Sequence, residues 1–410
     1  MSKFIIIFMV VFGSISCYAI NLEEAINKAI KNSLKLKSQL YQYKSIEKQL
    51  KSSGLAGFLP DINLQYNFDS NFNFYDKKHN LPEKHLTLRQ KVIGGGSFAT
   101  FNQSSHLLKA EKILFQQSKQ EVALNAVKVY TDVLKRTAIL KLKEHKERVS
   151  LENLSAVKKR FSLGEVTNTE VSLAKAKFSS SVLDRIDAEG KLKLANIAYS
   201  HLIGEDPDKL SEVNDKLPSV PELNECLQLA KTKNLSLKVA IHKKKADGMA
   251  VISEISKWLP SLNLSASKSL NESINLNTLL NTTNITFTLD IPILTKGTTT
   301  FSISKAKMNA KKSAYDYYEI IKYIEKEVIK TWNNVLIAKT IIKASQKVEK
   351  AAAFALEEVK QEVNLNLKSK IELLDTENAL LKARSDLVEA KNNYAISVYK
   401  LLLMTNSINF

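Results

Sequence analysis

Cysteine is almost missing from this chain, with two in 410 residues. Cys17 lies in an N-terminal segment that reads as a secretory signal, so cleavage leaves Cys226 alone. A single thiol excludes an intrachain disulfide and a cysteine metal cluster. An exported protein of this size then depends on its own core and its partners. Glycine (11) and proline (7) are also scarce, which favours long uninterrupted helices. Acidic residues are outnumbered, 42 against 60 basic ones, for a formal charge of +18. A basic balance can serve nucleic acid or an anionic membrane surface. Here the lysines are dispersed along helical faces and no nucleic-acid motif is present, so the charge reads as solvated surface and no nucleic-acid partner is expected.

Enzyme signatures are lacking too. There is no Ser/His/Asp spacing and no phosphate loop. Gly94-Gly95-Gly96 has no Lys-Ser/Thr after it and reads as a strand-to-helix corner. The six histidines, His79, His85, His106, His145, His201 and His242, are scattered and read as surface residues rather than ligands. The expectation is a non-enzyme with no cofactor and no metal.

Residues 1–19 carry the marks of an export signal. Lys3 supplies the positive start, and residues 4–15 form an apolar run too short to span a bilayer comfortably. Cys17-Tyr18-Ala19 places small residues before a cut that leaves Ile20 first. A membrane anchor is the weaker alternative, because a polar, acidic segment follows. Acylation of Cys17 is the lesser reading, since Ser14 stands where such signals have an aliphatic residue.

The rest of the chain is written twice. Leu22-Glu23-Glu24-Ala25 opens a helix, and Leu223-Asn224-Glu225-Cys226 opens another about two hundred residues later. Phe58-Leu59-Pro60-Asp61-Ile62-Asn63-Leu64 is echoed by Trp258-Leu259-Pro260-Ser261-Leu262-Asn263-Leu264. Pro207, Pro218 and Pro221 mark the join. The expected repeats are 20–210 and 211–410, each with a helix, a strand pair (60–94 and 260–294) and a long helical hairpin.

Within each repeat the hydrophobic period changes in the same order. Residues 21–57 are helical until Pro60 ends the helix. Ile62, Leu64, Tyr66 and Phe68, then Phe72 and Phe74, alternate with polar residues as a strand with two unlike faces. Leu86, Leu88 and residues 90–93 return. The second repeat offers Leu262, Leu264 and Ala266, then Ile285, Phe287, Leu289 and Ile291. After each strand pair comes a long helical region, 97–163 and 298–410, without Gly or Pro. Heptad seams run through Ile324, Val328, Val335 and Ala338, and through Leu373, Leu380, Leu387, Tyr394 and Leu401. Small residues such as Ala383 and Ala390 repeat beside the second seam, and Ala174, Ser181, Ala188 and Ala195 beside that of the first repeat. This is coiled-coil packing, interrupted by Arg185.

Two stretches, residues 164–171 and 366–375, break these regions alike. Gly164 and Asn366 begin them, and Glu170, Lys368, Glu372 and Asp375 supply charge. They read as turns at the tips of helical hairpins. The four strands pose a separate problem. Two-stranded hairpins are marginal alone, and an open edge is not tolerated in lipid. If the strands span a membrane, several chains must pool them, and a trimer gives twelve. A small soluble sheet capping a helical bundle remains the competing reading.

These residues resemble the TolC-like outer-membrane efflux proteins. The likeness rests on Leu22-Glu23-Glu24-Ala25, Leu59-Pro60, Ile93-Gly94-Gly95, the Gly164 to Val171 tip, Leu259-Pro260, Ile291-Pro292-Ile293 and Glu372-Leu373-Leu374-Asp375, in order and across the mature chain. The resemblance implies a mainly α protein with a small β part. Long coiled-coil hairpins would build a periplasmic α-barrel, and four membrane strands per chain would close a 12-stranded barrel as a homotrimer. It implies an outer-membrane channel acting as the exit duct of a tripartite efflux or type I secretion system. The partners would be outer-membrane lipid, a periplasmic adaptor and an inner-membrane pump, the latter two opening the tip. Gly164 and Asn366 would form the tip turns and meet the adaptor. Glu372 and Asp375 would line the pore constriction as rings of carboxylates, and Glu170 and Lys368 would form a gate latch. Val363 stands where the family often has an aromatic residue in that network. A structural, non-channel coiled-coil protein of the envelope is the alternative; a periplasmic adaptor fits less well, because adaptors do not duplicate the whole pattern.

Overall fold

The computed structural model describes residues 20–67, 83–94, 96–208, 210–211, 217–269, 283–365 and 367–408. The expected signal segment with Cys17, the strand positions Phe68, Phe72 and Phe74, His79, Gly95 and the tip residue Asn366 lie outside the described residues. The elements are α1 (Leu22–Asn32), α2 (Leu34–Leu55), β1 (Asp61–Asn67), β2 (Glu83–Ile93), α3 (Ser97–Ser162) and α4 (Asn168–Ile203). They are followed by α5 (Leu223–Lys233), α6 (Leu235–Ile255), β3 (Ser261–Ser269), β4 (Thr283–Asp290), α7 (Thr298–Asn364) and α8 (Lys370–Met404). The same order of two helices, two strands and two helices thus occurs twice.

The helix expected over 21–57 is two helices. Ser33 leaves the helical conformation, and its Oγ accepts the Leu36 N–H at 3.2 Å. Asn234 does the same for Leu237, also at 3.2 Å, between α5 and α6. A side chain that bonds the next turn's backbone competes with helix continuation at these positions.

The two hairpins, far apart in sequence, form one antiparallel sheet in the order β1-β2-β3-β4. Leu64 faces Leu86, Leu88 faces Ala266, and Leu264 faces Phe287 across the three ladders. The register shifts between Lys91 and Ile93, where β2 approaches its corner with α3. Gly96 caps α3 at φ 97°, and Gly297 caps α7 at φ 76°. Glycine carries no steric penalty at such angles.

With 66 and 67 residues, α3 and α7 each run about 100 Å. The N-terminal part of α3 packs on α2 and α6, and its C-terminal part on α4. Ala174, Ser181, Ala188 and Ala195 are buried at seven-residue intervals along α4, and Ala383 and Ala390 along α8. Small residues there let the helix axes approach. Arg185 does not break the packing: its guanidinium pairs with Glu147 on α3 and, at 2.9 Å, with Glu189.

The core lies at mid-length of the long helices. Ile26 and Ala29 of α1 pack with Val127 and Tyr130 of α3 and Tyr199 and Ile203 of α4. Cys226 and Ala230 of α5 pack with Val328 and Val335 of α7 and Leu401 of α8. The Tyr130 hydroxyl donates to the Ser211 carbonyl at 2.6 Å, and the Trp332 indole N–H to the Pro221 carbonyl at 3.2 Å. Among the described residues no helix is long and apolar enough to cross a membrane.

Candidate functional site: the sheet and the hairpin tips

The strand register sorts the sheet into two faces. One carries Ile62, Leu64, Tyr66, Leu86, Leu88, Leu262, Leu264, Ile285, Phe287 and Leu289; the other carries Asn63, Gln65, Thr87, Arg89, Ser265, Ser267, Thr286 and Thr288. The apolar residues of β1 and β4 are exposed in the single chain, Phe287 at 65%. Among the described residues, β1 and β4 each pair on one side only, so both edges of the described sheet are open. Hydrophobic outer positions alternating with polar inner ones are the pattern of a membrane barrel whose lumen holds water.

At the far end of the long helices, α3 ends in a turn whose bonds follow from glycine. The Gly164 N–H donates to Phe161 O at 2.9 Å and the Glu165 N–H to Arg160 O at 3.0 Å, with Gly164 at φ 77°. This pair of bonds is a Schellman cap. At the end of α7 the Leu367 N–H donates to Glu362 O at 2.8 Å, the counterpart of the Glu165–Arg160 bond. Each tip is also clamped by a local ion pair, with the signs reversed. Arg160 meets Glu165 at 3.1 Å in the first, and Glu362 meets Lys368 at 2.6 Å in the second.

The next helices start alike. Thr167 Oγ1 accepts the Glu170 N–H at 3.4 Å, and Ser369 Oγ accepts the Glu372 N–H at 3.3 Å. The Glu372 carboxylate returns the contact, accepting the Ser369 N–H at 3.2 Å. Glu372 therefore closes a capping box that starts α8. The Ser-x-x-Glu spacing that signals it is visible in the sequence.

The expected Glu170–Lys368 latch is not made within one chain. Lys368 pairs with Glu362, six residues away across the tip, and that carboxylate raises the lysine's pKa above its ordinary value. A partner on the same turn is met at little entropic cost, whereas one on another hairpin is not. Two ion pairs do join the hairpins among the described residues: Lys135 on α3 with Glu389 on α8 at 2.8 Å and, nearer the tips, Lys177 on α4 with Asp375 on α8 at 3.2 Å. Lys177 carries no local sequence signal, because only packing brings residues 177 and 375 together. Their side chains are 41% and 64% exposed, so the pair is a weak, salt-screened contact. Of the two expected constriction residues, then, Glu372 caps its own helix and Asp375 faces a lysine.

Comparison with known proteins places this architecture. Residues 226–407 match the family model for outer membrane efflux proteins. The chain is 25% identical over 395 residues to the outer membrane efflux protein BepC of Brucella suis biovar 1, covering 94% of this chain and 85% of BepC. Along nearly its whole length the chain is similar to the TolC-like outer membrane efflux proteins. It is 24% identical to the outer membrane protein TolC of Vibrio cholerae, covering 95% of this chain and 91% of that one. Its fold matches the CmeC outer membrane channel of Campylobacter jejuni with a TM-score of 0.80 at 17% identity, over 94% of this chain and 85% of CmeC. On this similarity it is an outer membrane efflux channel protein with a large helical periplasmic part, a transport protein and not an enzyme.

Proposed function

We propose that three copies close a twelve-stranded outer-membrane barrel above a periplasmic tunnel of helices, forming the exit duct of a tripartite efflux or type I secretion system. The observation that carries this reading is the sheet. Four strands with an apolar outer face, a polar inner face and two open edges cannot rest in lipid until the edges pair with other copies. The helices support it. Phe301, Met308, Tyr315, Ile329 and Leu336 stand exposed along α7 at multiples of seven residues, and Leu183, Ile186, Leu194 and Ile197 along α4. Such stripes suit a coiled-coil neighbour from a second copy.

In this reading the export signal at 1–19 delivers the chain, and the two repeats, 20–210 and 211–410, supply six similar units per trimer. An adaptor engages the tips at Gly164 and Asn366, and the pump chooses the exported molecule. Glu372 and Asp375 form two rings of three carboxylates at the entrance, which favour cations. Lys177 offsets the Asp375 ring. A Glu170–Lys368 latch would form between copies, with Lys368 first leaving Glu362; Lys368→Ala then raises closed-state conductance in planar bilayers.

The decisive experiment is native mass spectrometry of the protein in detergent, followed by planar-bilayer recording. A trimer with discrete conductance steps is expected. A monomer that is soluble without detergent and shows no conductance would leave only the structural coiled-coil role.

A further inference from the structure

The face of the sheet that carries Leu64, Leu88 and Phe287 is not apolar to its end. The register places Lys84 beside Tyr66, and Lys268 between Leu86 and Thr283, on that same face. They are its only charged residues among the described ones; Asp61, Arg89 and Asp290 lie on the polar face. Lys268 is exposed, and the Lys84 ammonium stands 5.4 Å from the centre of the Tyr66 ring. A lysine facing lipid is strongly unfavourable at the bilayer midplane and nearly neutral at the interface. The two positions therefore mark a rim of the membrane band.

Their height agrees. Lys84 is nine residues from Ile93 at the corner, and Lys268 is nine from Leu259. At about 3.3 Å per residue and a strand tilt of about 40°, nine residues rise about 23 Å, close to the ~25 Å of a barrel's apolar band. The exposed Phe58 and Trp258 stand at the near rim and Tyr66 at the far one, where such a band carries its aromatic girdles. The long helices leave from the near rim, so the lysines lie at the rim away from the periplasm.

We propose that Lys84 and Lys268 together bind a sugar phosphate of an outer-leaflet glycolipid of the lipid A class, an inference that rests on the barrel reading above. Lys84 sits two residues along β2 from Leu86, the cross-strand partner of Lys268. Such diagonal neighbours are about 7–8 Å apart, so two four-carbon side chains can close on one phosphate. Their stems stay against the apolar face while the ammonium groups reach the headgroups. A phosphate monoester carries close to two negative charges at pH 7, matching two ammonium groups, whereas the diester of a phospholipid carries one. No carboxylate among the described residues shares the face to compete for them.

Native mass spectrometry of the full chain in detergent, titrated with diphosphoryl lipid A, tests this. A trimer that binds lipid A is expected. Affinity should fall at least tenfold in the double variant Lys84→Gln, Lys268→Gln. It should stay unchanged in Lys347→Gln, an exposed lysine far along α7. Independently of how the variants fold, the wild-type trimer should bind phosphate-free lipid A and phosphatidylglycerol at least tenfold more weakly than diphosphoryl lipid A. A trimer indifferent to the phosphates or to the double substitution would overturn this proposal alone. Phosphatidylglycerol bound as tightly as lipid A would assign the lysines to phospholipid and overturn the choice of glycolipid. A monomer would overturn the barrel reading and this inference with it.

Discussion

At the scale of single residues, the tip chemistry separates two roles that Glu372 could play. As N3 of a capping box it needs an acceptor oxygen; as part of a pore ring it needs a charge. Glu372→Gln keeps the oxygen and removes the charge. It should leave the thermal midpoint of the protein within the scatter of the wild type while lowering cation selectivity in single-channel recordings. Unchanged selectivity would confine the residue to capping. Ser369→Ala removes the acceptor for the Glu372 N–H and should cost about 1 kcal/mol. Hydrogen exchange should quicken in the first turn of α8 and not in α7.

Asp184 gives a pH dependence. Burial pushes its pKa up, but hydrogen bonds from Lys146 and Lys143, both at 3.0 Å, outweigh this and leave it below the usual value. The folded state thus binds the proton less readily than the unfolded chain. The stabilisation is fully present above the unfolded value of about 3.9 and is lost as pH falls through the lower folded value. The side chain is about a third exposed, so the effect is at most about 1 kcal/mol after screening. Urea unfolding of Asp184→Asn against wild type should show that gap at pH 7 and its narrowing towards pH 3.

At the scale of elements, the helical hairpins depend on small residues facing inward. Ala188 is buried between α4 and α3. Ala188→Leu should cost about 1–3 kcal/mol by forcing the axes apart, measurable as an earlier urea midpoint. Gly164 tests the turn differently. A Cβ there meets nothing within 4 Å, yet φ is 77°. Gly164→Ala therefore carries only the backbone cost of the left-handed conformation, about 1–2 kcal/mol.

The elements themselves are largely legible in the sequence, because helix and strand are written in local periods. The breaks at Pro60 and Pro260, the alternation from Ile62 to Tyr66 and the seam of Ala174, Ser181, Ala188 and Ala195 follow from nearest neighbours along the chain. The break at Ser33 was harder to read, since a serine cap competes with continuation by only a hydrogen bond. The tip turn at Gly164 was legible from glycine alone, but its partner pairs were not. Arg160–Glu165 and Glu362–Lys368 depend on how the chain curls around each turn.

At the scale of the whole molecule, the proposed barrel makes opposite demands on neighbouring residues of β4. Phe287 lies on the apolar face and Thr286 on the polar one. Phe287→Lys should destabilise the inserted trimer by about 2–4 kcal/mol if it sits near mid-membrane, while Thr286→Lys leaves the trimer yield unchanged. Heat-modified mobility on gels reads the trimer fraction, and equal losses in both variants would contradict the outward orientation of Phe287.

The sequence by itself determined the duplicated order of elements, the helix-favouring composition, the two-faced strands and the capping residues, because each is a local property of a short window. The tertiary structure alone decided that the two hairpins share one sheet through β2 and β3. It alone decided that Lys177 meets Asp375, that Arg185 straps α4 to Glu147 of α3, and that His106 stands against His242. These contacts join residues 38 to 198 positions apart. Their geometry is set by how whole helices pack, and no pattern along the chain encodes that distance.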